Sequence, residues 1–233
     1  MKKSLIALAV AAALVPSLAM AEKGDIVVRL RATNITADES SKLGEKTEAA
    51  TGLADELYGS QSANLKVESN TIPELDFSYY ITKNIAAELI LALGTKHDVN
   101  TSGQGAALHS KKLGEVNLLP PTLTLQWHFN PDQTFDPYVG AGVTYVRAMD
   151  NGLTADTALG AKPIRIDRNN WGMAIQAGFD VNLENRWLVN FDVKKLFVDT
   201  DVKLNLLDGN GYKKIDSLDI DPWVVSVGFG KKF

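Results

Sequence analysis

Few residues in this chain are equipped for bond-making chemistry. Its histidines are His97, His109 and His128. The first two fall in a polar stretch with no hydrophobic period, and His128 lies beside a turn signal. None stands four residues from another, the spacing that would put two imidazoles on one helix face for a metal. His97, Asp98 and His109 could gather round an ion, but solvated loop residues are the stronger reading. His109–Ser110 has the composition of a nucleophile and its base, yet no acid is spaced to orient the pair. The 233 residues include no cysteine, which excludes disulfides, thiolate metal ligands and a cysteine nucleophile. Neither catalysis, a cofactor nor a metal site is expected.

A second group of chemically capable residues sits in an unusual setting. Arg29, Arg31, Glu74, Asp76, Glu88, Asp180, Asp192, Lys194 and Lys232 lie in segments that are apolar at every second position. Both signs are present, so ion pairs are expected rather than selectivity for one sign of ion. The tandem prolines Pro120 and Pro121 interrupt one such segment. Proline has no N–H to give to a β-ladder, which makes a pair of them notable inside a strand.

The elements that must position these residues follow from the patterning. Met1-Lys2-Lys3-Ser4, the apolar run Leu5 to Val15, and Ala19-Met20-Ala21 have the three parts of a secretory signal peptide, residues 1–21. Its apolar run is too short to span a hydrocarbon core of about 30 Å as a helix. Cleavage would make Glu22 the first mature residue and leave 22 basic residues against 28 acidic ones. An acidic balance argues against nucleic-acid binding, which depends on neutralising phosphates.

Beyond residue 21 the dominant signal is period-two alternation, in eight segments. In the clearest, Trp171, Met173, Ile175, Ala177, Phe179, Val181 and Leu183 alternate with Gly172, Ala174, Gln176, Gly178, Asp180 and Asn182. Successive strand side chains point to opposite faces, so such a segment has one apolar side. Similar alternation surrounds Val28–Ala32, Leu75–Ile81, Ile85–Leu93, Leu119–Phe129, Val139–Tyr145, Trp187–Val193 and Trp223–Phe229. Short polar links at 82–84, 130–134 and 184–186 alternate with long polar loops at about 36–70, 96–114, 148–170 and 199–219. Aromatic residues collect at both ends of the segments.

This pattern predicts an all-β fold, an eight-stranded antiparallel transmembrane β-barrel with short periplasmic turns and long extracellular loops. Closure satisfies every backbone N–H and C=O where lipid offers no partner. A soluble β-sandwich would also alternate, but need not divide its loops into two length classes. The nine charged residues above take the inward parity and are expected to cross a narrow lumen as a network. Pro120 and Pro121 are expected within the fourth strand, opening a seam near its loop end, or else marking a bulge or the strand's outer end. The localisation expected is the outer membrane of a Gram-negative bacterium.

Glu22 to Phe233 resembles the OmpW family of small outer-membrane proteins. The resemblance rests on Asn84-Ile85 with Glu88-Leu89, Leu119-Pro120-Pro121-Thr122-Leu123 with Gln126-Trp127, Pro137-Tyr138-Val139-Gly140-Ala141-Gly142, Trp187-Leu188-Val189-Asn190 and Asp221-Pro222-Trp223-Val224. It implies an eight-stranded barrel that admits small hydrophobic solutes, which leave sideways through the wall into the bilayer; a seam at Pro120 and Pro121 would supply such an exit. It also implies an apolar constriction inside the barrel. Ile90 suits one side of it, whereas Lys194 stands where a large aromatic side chain is implied. Lys195 occupies an outward position that should be apolar, a cost that snorkelling to the headgroups would reduce. The partners expected are outer-membrane lipid and small hydrophobic solutes, with the protein a monomer. A structural, adhesion or receptor barrel acting through its extracellular loops is the competing function, and a lipid-modifying barrel enzyme a third.

Overall fold

Alternation over ten or so residues commits a segment to a long strand with unlike faces, and long strands of this kind make up most of the wall. The computed structural model describes residues 22–92, 95–103, 112–157 and 159–233; the expected signal peptide and His109 lie outside them. In chain order, the first seven strands are β1 (Ile26–Thr36), β2 (Asn64–Val67), β3 (Asn70–Tyr80), β4 (Ile85–Ala92), β5 (Thr95–Ser102), β6 (Lys112–Leu119) and β7 (Thr122–His128). Four more follow: β8 (Phe135–Asp150), β9 (Gly152–Thr157), β10 (Gly160–Ile166) and β11 (Asn169–Asn182). The last are β12 (Trp187–Phe197), β13 (Asp199–Asn205), β14 (Tyr212–Asp219) and β15 (Trp223–Lys232).

Eight of these close into an antiparallel barrel in the order β1, β3, β4, β7, β8, β11, β12, β15. The first and last strands complete the ring, from Val27 opposite Lys232 to Thr36 opposite Trp223. The ladder between β8 and β11 is the longest, running from Phe135 opposite Val181 to Arg147 opposite Asn169. Parity follows the sequence closely. Leu30, Phe77, Leu89, Leu123, Leu125, Val143, Ile175, Val227 and Phe229 are exposed on the outside, while Arg29, Asp76, Glu88, Thr124, Gln176 and Ser226 are buried within.

Inward glycines let the narrow interior hold large side chains. A Cβ on Gly178 would sit 2.6 Å from the Tyr138 hydroxyl, and one on Gly228 would meet Arg31 Cγ at 2.8 Å. The turns at one end are short: Thr82 Oγ1 accepts from Ile85 N at 3.0 Å, and Asn185 takes a left-handed φ of 57°.

The other end departs from the sequence-based expectation. The four long loops contain strands and helices that fold together. Strands β2, β5 and β6 extend the barrel sheet, and β9, β10, β13 and β14 form a separate four-stranded sheet. Two short helices, Leu43–Thr51 and Ala54–Tyr58, each end at a glycine in the left-handed region, Gly52 and Gly59. Leu43, Leu57, Val99, Val116, Ile164, Val202 and Leu204 belong to the core shared by these elements. Polar faces turned to water hide this core in the sequence, since each strand contributes only two or three apolar residues.

For the prolines, the second of the two expectations holds. Pro120 and Pro121 are not within the fourth barrel strand but at its outer end, between β6 and β7, which begins at Thr122. Without N–H groups they cannot carry the ladder, so the strand breaks where they stand.

Candidate functional site

The lower and middle interior is filled by an ion network. Arg29 Nη2 and Nε donate to the two oxygens of Asp180 at 2.6 and 3.3 Å, and Nη1 donates to Ser78 Oγ at 2.6 Å. Arg31 Nε lies 2.7 Å from Glu74 Oε1, Nη2 donates to Glu88 Oε1 at 3.1 Å and pairs with Asp76, and Nη1 donates to Asn190 Oδ1 at 3.1 Å. Lys194 Nζ donates to Asp192 Oδ1 at 2.5 Å and lies 3.7 Å from Glu74. Tyr138 donates to the other Asp192 oxygen at 2.8 Å, and Thr124 and Gln176 donate to Glu88 at 2.9 and 2.7 Å. Lys232 rests over the Tyr80 ring, 5.4 Å from its centroid.

All nine charged residues singled out in the sequence are therefore buried inside the barrel. A buried charge is tolerable only when paired and hydrogen-bonded, and removing one partner costs far more than the pair contributes. Their two-signed packing leaves a polar block across the tube.

Towards the periplasmic end, His128 lies between Tyr80 and Tyr138, with ring centroids 5.1 and 5.0 Å away. His128 Nδ1 is 2.7 Å from Asp136 Oδ2. His128, Asp136 and Asp180 have ligating atoms within 4.8 Å of one another, close enough to hold a metal. Each already has a partner, Asp180 in Arg29 and Asp136 in the Asn130 N–H, so the group is complete as a hydrogen-bonded cluster. His97 is elsewhere, under the extracellular sheets, with Nδ1 3.0 Å from the Glu68 carbonyl oxygen.

Above the ion network the character of the interior changes. A cavity of about 80 Å³ lies between the barrel mouth and the extracellular sheets. Only His97, Asn170 and Thr200 are polar among its twenty lining residues; the rest include Leu65, Val116, Leu118, Pro120, Ile166, Leu196, Val198 and Val224. A smaller space beneath shares Ile35, Pro120, Leu196 and Val224 with it and is bounded by Ile90, Glu74 and Lys194. Ile90 and Lys194 thus face one volume, as the sequence suggested, but Lys194 belongs to the polar floor.

The wall beside this volume is incompletely laced. The ladder between β4 and β7 runs from Ile85 opposite Trp127 to Ile90 opposite Thr122, and no further pairs occur among the described residues. Leu91 and Ala92 pair with β3 on their other side, opposite Leu75 and Glu74. On the far side of the prolines, β8 stays bonded: Tyr145 N donates to Pro121 O at 3.0 Å, and Leu119 stands opposite Arg147. The break therefore opens towards β4 alone.

Sequence reasoning found the network and the prolines but missed the cavity roof. Its signal was present in short alternations, Leu153 with Ala155, Ile164 with Ile166, and Val202 with Leu204. Lys195, expected outward, bends back to Asp38 Oδ2 at 2.9 Å and the Asp221 carbonyl at 2.6 Å, over the Trp223 ring.

Comparison with known proteins agrees with this architecture. The sequence profile of the OmpW family matches residues 22–233. Outer membrane protein W of Vibrio cholerae is 33% identical over the whole of both chains. Outer membrane protein AlkL of Ectopseudomonas oleovorans is 28% identical over 72% of this chain and 68% of that protein. The crystal structure of OprG from Pseudomonas aeruginosa superposes with a TM-score of 0.74 at 29% identity, covering 93% of this chain and 99% of that one. The chain belongs to the OmpW family and is an outer-membrane β-barrel of a Gram-negative bacterium.

Proposed function

For an OmpW-family barrel built in this way, we propose passive uptake of small hydrophobic molecules with release through the wall beside Pro120 and Pro121. The observation that carries this reading is the division of the interior. An apolar cavity above the ion network ends on the floor made by Lys194 and Glu74, and the unlaced wall between β4 and the prolines lies at the level of that floor. An apolar solute gains about 0.8 kcal/mol for each CH₂ it removes from water. It cannot continue down the axis, where it would have to separate paired, desolvated charges. The sideways route leads directly to hydrocarbon.

Uptake of an apolar dye by liposomes holding the protein tests this reading. Wild-type liposomes are expected to fill faster than protein-free ones, and Pro120→Ala/Pro121→Ala, which restores two N–H donors at the break, is expected to slow filling. Equal rates with and without protein would refute the channel, and wild-type rates in the alanine variant would refute the exit.

A further inference from the structure

We propose that Arg147 and Arg168 form a binding surface for the phosphorylated headgroup of the outer-leaflet lipid, lipid A. The depth of these residues follows from the strand that carries one of them. On β8, Phe135 marks the periplasmic aromatic girdle, and Tyr145, its ring tilted against that of Trp171 with centroids 4.8 Å apart, marks the outer one. The separation of about ten residues, at about 3.4 Å each and a tilt of about 35–45°, corresponds to about 24–28 Å. That matches the apolar band of about 25 Å expected of such barrels. Arg147, two residues further and on the same outward parity, stands about 5 Å above it, at phosphate depth.

Arg168 is next to this position across the ladder. Asn169 is opposite Arg147, and the Arg168 carbonyl accepts from Ala148 N at 2.8 Å. Both arginines are exposed, and neither guanidinium has a hydrogen-bond or ionic partner among the described residues. The nearest acids in sequence are occupied: Asp167 pairs with Lys203, and Asp150 accepts from Gly152 N. Trp171, 70% exposed, and Met149 offer apolar contact on the same flank.

Lys195 supplies the contrast. It lies near the same boundary on β12, but its charge is already met by Asp38 and the Asp221 carbonyl. Two uncompensated guanidiniums beside an interfacial aromatic pair suit a phosphate-bearing lipid, because guanidinium offers a planar fork of donors to phosphate. The Tyr145 hydroxyl donates to Asn169 Oδ1 at 2.6 Å, which ties the outer aromatic pair to the residue opposite Arg147.

The test is a titration of purified protein in neutral detergent with bisphosphorylated lipid A, followed by native mass spectrometry. Dephosphorylated lipid A and inorganic phosphate form the comparison arms. Arg147→Gln and Arg168→Gln are each expected to weaken lipid A binding about fivefold, and together about twentyfold. Lys195→Gln is expected to change it less than about twofold. Heat-modifiable gel migration verifies that each variant keeps its barrel. Equal binding by the double variant, equal binding of dephosphorylated lipid A, or a loss in Lys195→Gln as large as that in Arg147→Gln would overturn the proposal. Displacement of lipid A by equimolar inorganic phosphate would assign the arginines to free phosphate and overturn it as well.

Discussion

Replacing Arg31 with methionine should be the most damaging single change inside the barrel. Arg31 is fully buried and touches three carboxylates, those of Glu74, Asp76 and Glu88. Methionine approximates the aliphatic stem but removes the charge, leaving Lys194 at 3.7 Å from Glu74 and Arg29 at 3.5 Å from Asp76 as the remaining cations. Breaking a buried ion pair from one side costs about 3–5 kcal/mol, because the partner stays desolvated without compensation. That corresponds to about two to four decades in the folding equilibrium. Urea unfolding in lipid bilayers, monitored by tryptophan fluorescence, measures the loss. Adding Glu88→Gln to Arg31→Met removes one stranded charge and should return about 1–2 kcal/mol, a coupling within the range for residues in one network. A loss below about 1 kcal/mol for Arg31→Met, or no recovery in the double variant, would show that water enters freely and that the block is not dry.

Two further outcomes are expected. Burial pushes the Tyr58 phenol up to about 12 from its usual 10, so folding favours the neutral form. The associated stability is complete below pH 10 and is lost as pH rises towards 12, about 2–3 kcal/mol in all. Protease sensitivity of the extracellular sheets should rise over that window in the wild type and less in Tyr58→Phe. Separately, Gly178→Ala places a methyl group 2.5 Å from the Phe191 carbonyl oxygen and 2.6 Å from the Tyr138 hydroxyl. It should cost about 1–3 kcal/mol in the same urea assay, and a loss below about 0.5 kcal/mol would show that the strands at this point are free to move apart.

How much of this was readable beforehand depended on how strongly lipid constrains the chain. A membrane-spanning wall enforces alternation at every position, so the outward set around Leu123 and Leu125 and the inward set from Arg29 to Asp192 could be assigned without coordinates. Outside the bilayer that constraint lapses. Strand β13 reads Asp199-Thr-Asp-Val-Lys-Leu-Asn205, and only Val202 and Leu204 betray its buried face. The prolines were recognised as a break, but their place between two strands depends on β6 continuing along β8 above them, a long-range pairing with no local signature. His128 reads as a turn residue because it stands at the last position of its strand; its inward parity sets it beside Asp136 and Tyr138 of the next strand, β8, and Tyr80 reaches it from β3, two strands away round the wall.

The meeting of β1 and β15 has a consequence for biogenesis. Ile26 and Phe233 exchange backbone hydrogen bonds at 3.1 and 2.8 Å, so the ring is sealed where the first barrel strand meets the last. Of these two strands, β15 is synthesised long after β1. Until then, β1 has only β3 beside it and offers a bare row of amides and carbonyls to whatever strand comes near. Sealing thus waits for β15, and before it arrives the outer edge of β1 is an open template for pairing.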